Sequence, residues 1–334
     1  MKRYLILAYI PVLFLSCIEG IENTYQASGQ LFIVNKKGNT AIQYDLETKE
    51  RVRTIPTGVE PHEIDISNNQ KYIVITNYKG HSLTVFNTIA QDTINFSLEE
   101  GLKPHGMAFL NDSSILCTSE GTDELLLINL NNGSIIKRLS TDNKPVHMMA
   151  LHPNGKSLFI SNKEPGFILE IDLVNWKIQK EIALKGNIEG ISLTPLGDQL
   201  WITRRDLNIV SILDTESMKI IQHIETDIFP VRIAFRDQVN QAIIVNSKGN
   251  SLMIMDTRTM QLIKRISFKS GIPWIFDLLN KTPIPVGITI HKDNKHAFIT
   301  TSNADKVFVL DMDIWEFVGE FMTDDLPDGL VILD

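Results

Sequence analysis

A short β-branched phrase recurs seven times along this chain, and an Asp or Asn stands ten residues after the end of each one. The phrases end at Asn35, Asn77, Ser119, Asn162, Arg204, Asn246 and Thr301, and their partners are Asp45, Asn87, Asn129, Asp172, Asp214, Asp256 and Asp311. The phrase ends lie 42, 42, 43, 42, 42 and 55 residues apart. A period near 42 built only of short strands predicts an all-β fold, a β-propeller with one four-stranded antiparallel blade per repeat.

The second repeat gives the grammar of a blade. Residues 61–66 alternate apolar and polar and read as the innermost strand, A. Residues 72–76 are continuous and β-branched, as a strand buried on both faces reads. The loop 77–81 contains Gly80 and turns the chain into strand C, 82–86, which Asn87 ends. An Asp or Asn there can accept a hydrogen bond from a backbone N–H two residues on, an Asx turn leading into strand D. Recurrence at one structural position makes these seven residues fold markers and keeps them out of the candidate site.

The first repeat starts at strand B, 31–34, with no strand A before it. The last residues, 327–333, read as a strand A with no B after it. The C-terminal strand is therefore expected to complete the first blade and close a ring of seven, so that no inner strand is left unpaired at the seam. Residues 30–334 then form one propeller domain.

The N-terminus has a different character. Lys2 and Arg3 precede a mostly apolar run, 4–15, that is too short to span a bilayer stably. Phe14-Leu15-Ser16-Cys17 resembles the lipobox of a bacterial lipoprotein signal, with Phe14 where Leu is usual. That resemblance implies a signal peptide over 1–16, cleavage and lipidation at Cys17, a tether over 17–29, and a protein held at the cell envelope by its lipid, periplasmic or surface-exposed. Cleavage takes the formal charge from −8 to −10, since Lys2 and Arg3 leave with the signal. With no basic stripe, nucleic acid is a poor partner. Cys117, the one other cysteine, sits inside an apolar strand, so a lipidated Cys17 leaves no intramolecular disulfide.

In a propeller the A strands line the axis. Their starts read Pro61-His62-Glu63, Pro104-His105-Gly106, Pro145-Val146-His147, Ile188-Glu189-Gly190, Pro230-Val231-Arg232, Pro285-Val286-Gly287 and Pro327-Asp328-Gly329. Pro suits a strand start because it has no N–H to donate to the ladder. The polar members should ring one mouth of the central channel, with the glycines leaving room there. The B–C hairpins open on the same face, and Arg204 breaks the Asn, Ser or Thr pattern of its counterparts. The long sixth-to-seventh connection, around 270–280, carries Trp274 and Phe276 and can lie over the mouth or present an aromatic anchor. The candidate ligand-binding residues are His62, Glu63, His105, His147, Glu189, Arg204, Arg232, Trp274 and Asp328. Three His near carboxylates offer imidazole donors. Polar groups at a wet channel mouth also bond water and one another, and no metal or cofactor is assigned.

With these repeats in view, the chain resembles the YVTN family of β-propeller repeat proteins. Tyr72-Ile73-Val74-Ile75-Thr76-Asn77 and Leu158-Phe159-Ile160-Ser161-Asn162 are close to the name-giving phrase, and Ser82-Leu83-Thr84-Val85-Phe86-Asn87 follows its continuation. The resemblance covers nearly all of 29–334 and implies architecture far more than activity. Cys-x-x-Cys-His, Gly-x-Ser-x-Gly, the phosphate-binding loop Gly-x-x-x-x-Gly-Lys-Ser/Thr and His-Glu-x-x-His are all absent. The expectation is a monomeric, non-catalytic scaffold whose channel mouth holds an envelope protein or a small polar ligand. The alternative is a lactonase-like hydrolase or metal-binding enzyme, with His62, Glu63, His105 and Arg232 as its acid–base groups.

Overall fold

The computed structural model describes residues 21–236, 238–268 and 282–334. Its 28 strands, β1 to β28 in chain order, form seven separate four-stranded antiparallel sheets. Blade one is ordered β28 (Pro327–Leu333), β1 (Gln30–Asn35), β2 (Thr40–Asp45) and β3 (Arg51–Pro56). The C-terminal strand thus supplies the inner strand of the first blade, with Gln30 opposite Leu333 and Ile33 opposite Leu330. Blade two runs β4 (Pro61–Ile66), β5 (Tyr72–Asn77), β6 (Ser82–Asn87) and β7 (Asp92–Ser97), and blades three to seven repeat that order. Their inner strands are β8 (Pro104–Asn111), β12 (Met149–Leu151), β16 (Ile188–Leu193), β20 (Pro230–Arg236) and β24 (Ile284–Ile290). β12 begins two residues after His147, later than the sequence suggests.

No single core holds this molecule together. Seven apolar clusters occupy the seven interfaces between neighbouring blades. Leu31, Ile33 and Ile42 of blade one pack on Phe298, Val307 and Val309 of blade seven. Val74, Leu83 and Val85 of blade two pack on Ile115, Cys117 and Leu126 of blade three. Both faces of each B and C strand are therefore covered, which is why those strands are continuous apolar runs. Cys117 belongs to this packing, and burial pushes its thiol up to about 12, so it serves as a core residue.

The recurring Asp and Asn do form Asx turns. Asp45, Asn87, Asn129, Asp172, Asp256 and Asp311 each accept the N–H two residues on, at 2.8–3.0 Å. Asp214 accepts the N–H of Ser217, three residues on, at 2.8 Å.

The Asn that ends a B strand locks the hairpin after it. Asn77 Nδ2 donates to Ser82 Oγ and Thr84 Oγ1, and the Asn162 side-chain oxygen accepts the N–H of Phe167. The penultimate Thr of the phrase joins blades. Thr300 Oγ1 accepts the N–H of Gly287 in its own blade at 2.8 Å and donates to Asp328 O of the next at 2.7 Å. Thr76 does the same between Glu63 N and His105 O. Replacing Thr300 by Val keeps the shape but strands a buried N–H and a buried carbonyl. The expected cost is about 1–3 kcal/mol, read from a denaturant melt.

The chain before β1 is fastened to the outside of blade seven. Thr24 N–H donates to Val318 O, and Asn23 bonds both the N–H and the carbonyl of Glu320. The Tyr25 ring is buried against Phe298 and Phe321. Of the segment expected as a tether, 17–29, the residues Asn23, Thr24 and Tyr25 are held against blade seven. Cys17, like Trp274 and Phe276, lies outside the described residues.

Candidate functional site: an imidazole and carboxylate cluster at one channel mouth

The inner strands do not run smoothly into the mouth. In six blades the A–B register slips just after the opening residue, between Pro61 and Ile64, Pro104 and Met107, Ile188 and Ile191, Pro230 and Arg232, Pro285 and Ile288, and beside Pro327. Such bulges re-aim side chains. His62, Glu63, His105, Glu189, Val231 and Asp328 all sit within them. The backbone N–H that the bulge frees is taken by the phrase Thr, as at Glu63, Gly190 and Gly287. The repeat motif and the site geometry are therefore one device.

The three imidazoles come from adjacent blades and form an arc. Ring centroids are 4.2 Å apart for His62 and His105 and 4.3 Å for His105 and His147. His62 Nε2 lies 3.3 Å from His105 Nε2 and 2.8 Å from Lys36 Nζ. His62 Nδ1 faces Asp328 Oδ2 at 3.1 Å and Glu63 Oε1 at 3.4 Å. On the far side His147 Nδ1 is 2.5 Å from Glu120 Oε1, and His147 Nε2 faces Glu189 Oε1 at 3.7 Å. Tyr78 donates to the second Glu120 oxygen at 2.8 Å.

Cations close the ring. Arg232 reaches from blade six to Glu63 of blade two, so this ion pair crosses the channel axis. Arg205 bonds Glu189, Lys163 lies 3.3 Å from Glu120, and Lys36 lies 3.4 Å from Asp328. Four carboxylates thus meet four cations before any imidazole takes a proton.

Burial would raise the carboxyls. For Glu63 it is overcome by Arg232, His62 and His147, which hold the group well below the usual carboxylate range. Glu120 and Glu189 are held at about 2 by the same contest, with His147 as the main opposing partner. His105 is nearly inaccessible. Burial first, then the surrounding positive groups, push it well below the ordinary imidazole value, so it stands neutral. The ring nitrogens His62 Nδ1, His105 Nδ1 and His147 Nε2 are buried without a hydrogen-bond partner.

Of the residues predicted from sequence, His62, Glu63, His105, His147, Glu189, Arg232 and Asp328 come together here. Arg204 does not. Its guanidinium donates to Lys185 O at 2.6 Å and to Ser211 Oγ at 3.2 Å. Ser211 is seven residues on, the same step as from Asn77 to its partner Thr84, so Arg204 fills the hairpin-locking slot of blade five. Its neighbour Arg205 is the one that reaches the cluster. The mouth glycines also serve a purpose other than leaving the channel open. A Cβ on Gly190 would stand 2.2 Å from Val231 O, and one on Gly287 2.4 Å from Asp328 O. These glycines let neighbouring inner strands approach. Glu120, Lys36, Lys163 and Arg205 were visible in sequence only as hairpin residues, one place or two past strand B.

No protein-family model matches the chain, and no curated protein matches it significantly. Among solved structures, Kuenenia stuttgartiensis hydrazine synthase contains a chain that superposes with a TM-score of 0.72 over 91% of this chain and 99% of that one, at 14% identity. The chain is a seven-bladed β-propeller. At that identity the likeness is one of fold alone, and the propeller's chemistry must be read from its own mouth. On its other face a groove of about 370 Å³, lined among others by Leu196, Phe235 and Arg236, carries no comparable cluster among the described residues.

Proposed function

We propose that this propeller is a non-catalytic binding scaffold of the bacterial cell envelope, built on YVTN-type repeats and anchored through lipid on Cys17. Its channel mouth holds a small polar ligand or the polar tip of an envelope protein. One observation carries the reading. The mouth is a cluster of mutually paired, partly buried charges set on bulged strands, so a ligand with both donors and acceptors gains contacts at little ordering cost. The hydroxyls of Thr76, Thr118 and Thr300 are committed to backbone carbonyls of the next blade and that of Tyr78 to Glu120, which favours binding over nucleophilic chemistry.

The test is a thermal-shift screen of the full-length protein in detergent against amino acids, dicarboxylates, sugars and polyamines. A ligand at about a hundred times its Kd adds about 2.7 kcal/mol of stability. That gain should be reduced in Arg205→Ala, whose side chain stands at the rim and is 27% exposed. Shifts that persist unchanged in Arg205→Ala and Lys163→Ala would move the ligand elsewhere and refute the reading. Turnover of a compound would replace it with the hydrolase. The anchor is checked separately, by loss of palmitate labelling in Cys17→Ala.

A further inference from the structure

We propose that the arc of imidazoles is a binding site for one divalent transition-metal ion of the zinc and copper class, with His62 Nε2, His105 Nε2, His147 Nδ1 and Glu120 Oε1 as its ligands. This stands apart from the binding reading, because a scaffold could hold a metal or lack one.

The donor atoms form two overlapping groups, His62 with His105 and Glu63, and His105 with Glu120 and His147, so His62 would have to shift to join the second. His62 Nε2 and His105 Nε2 are 3.3 Å apart. The ligand atoms of His105, Glu120 and His147 all lie within 4.8 Å of one another. Tetrahedral coordination with metal–nitrogen bonds of about 2.0–2.1 Å separates ligands by roughly 3.3 Å. The His147–Glu120 contact, at 2.5 Å, would open and the His105–Glu120 gap, at 4.0 Å, would close around the ion.

The far sides of the outer two rings point the same way. A ligating imidazole typically gives its other N–H to a carboxylate, which fixes tautomer and orientation. His147 Nε2 has Glu189 behind it at 3.7 Å, and His62 Nδ1 has Asp328 at 3.1 Å. Both nitrogens are buried, and neither has a well-aligned hydrogen bond in the present arrangement. Glu189 and Asp328 would be positioning residues, not ligands.

Two ammonium groups stand beside the proposed ligands. Lys36 Nζ sits 2.8 Å from His62 Nε2, and Lys163 Nζ sits 3.3 Å from Glu120 Oε1. Their side chains are 22% and 40% exposed, so both heads can swing into water. Two unit charges would leave and one double charge would enter, with the net charge of the cluster unchanged. Three nitrogen donors and one carboxylate select borderline transition metals over Ca²⁺ or Mg²⁺, which prefer oxygen.

The experiment is calorimetric titration of the chelator-treated full-length protein with Zn²⁺ and, separately, Cu²⁺, with X-ray absorption on the loaded protein. One equivalent should bind, with imidazole nitrogens at about 2.0 Å. Affinity should fall at least about tenfold in His105→Ala, by a similar factor in Glu189→Gln, and rise in Lys163→Ala. Because His105 is buried, its variant is first checked for a native melt. The other two lie nearer solvent and keep the test decisive if it fails. Absence of saturable binding, binding unchanged in both His105→Ala and Glu189→Gln, or an equal response to Mg²⁺ would each overturn the proposal.

Discussion

Deletion of residues 327–334 is expected to leave a chain with no cooperative melt, although it removes only the last strand. β28 is the inner strand of blade one, pairing with β1 from Leu330 to Leu333 and again at Pro327. Leu330 is buried in the interface with blade seven, and the carbonyl of Asp328 receives the Thr300 hydroxyl. Without β28 the inner ring is open and the buried edge of β1 has no partner. A domain with about 5–15 kcal/mol of total stability cannot absorb a defect of that size. Circular dichroism against temperature reads the result. A second variant separates lost closure from lost sequence. Joining Asp334 directly to Gly29, so that 327–334 precedes 29–326, converts the seam to a hairpin. Asp-Gly suits a two-residue turn, and Gly29 already has a positive φ of 96°. This permutant should recover a cooperative transition. An unchanged melt in the simple deletion would mean the ring does not depend on its seam.

Replacing Arg232 by Met is expected to cost about 3 kcal/mol near neutral pH, because it leaves Glu63 ionised and largely desolvated across the axis. The side chains of the pair are 19% and 14% exposed. The pH dependence gives the effect a signature. In the native protein the Glu63 carboxyl is depressed, so its contribution is present above the unfolded value of about 4.3 and is lost as pH falls toward the folded one. Without Arg232 the burial penalty is less opposed. If it prevails, the carboxyl titrates above its unfolded value and stability rises as pH falls through that window. Denaturant melts at several pH values measure this. The double variant Glu63→Gln with Arg232→Met should recover much of the loss, since the charge is removed with its partner. A loss independent of pH and not relieved by Glu63→Gln would assign Arg232 a packing role only.

How far the sequence carried depends on what kind of signal each residue leaves. The blades were legible because their determinants are local and repeated. An Asx turn needs one side chain and a backbone N–H two residues away, so Asp45 and its six counterparts announce themselves at a fixed step. The inner-strand starts were legible for the same reason, and they led to His62, His105 and Asp328. What failed to show was anything set by contact between blades. Gly190 and Gly287 look like spare room along one chain, and only the neighbouring carbonyl reveals close approach. Arg204 looks like a departure toward function until Ser211 receives it in the slot of an Asn. Glu120 carries no repeat signal. It belongs to the cluster because the arc of rings brings His147 beside it, a juxtaposition of two blades that spacing along the chain does not encode.

The fastening of the N-terminal segment bears on how the molecule stands. Asn23 and Thr24 are tied to the outermost strand of blade seven, on the circumference of the disc and away from either opening. On the proposed lipidation, the link from Cys17 to Asn23 can extend at most about 20 Å. A mooring that short, attached at the circumference, favours a disc standing on edge over the bilayer, like a wheel on a road. Neither opening would then be pressed against the lipid, and a partner diffusing parallel to the surface could meet the imidazole arc head-on.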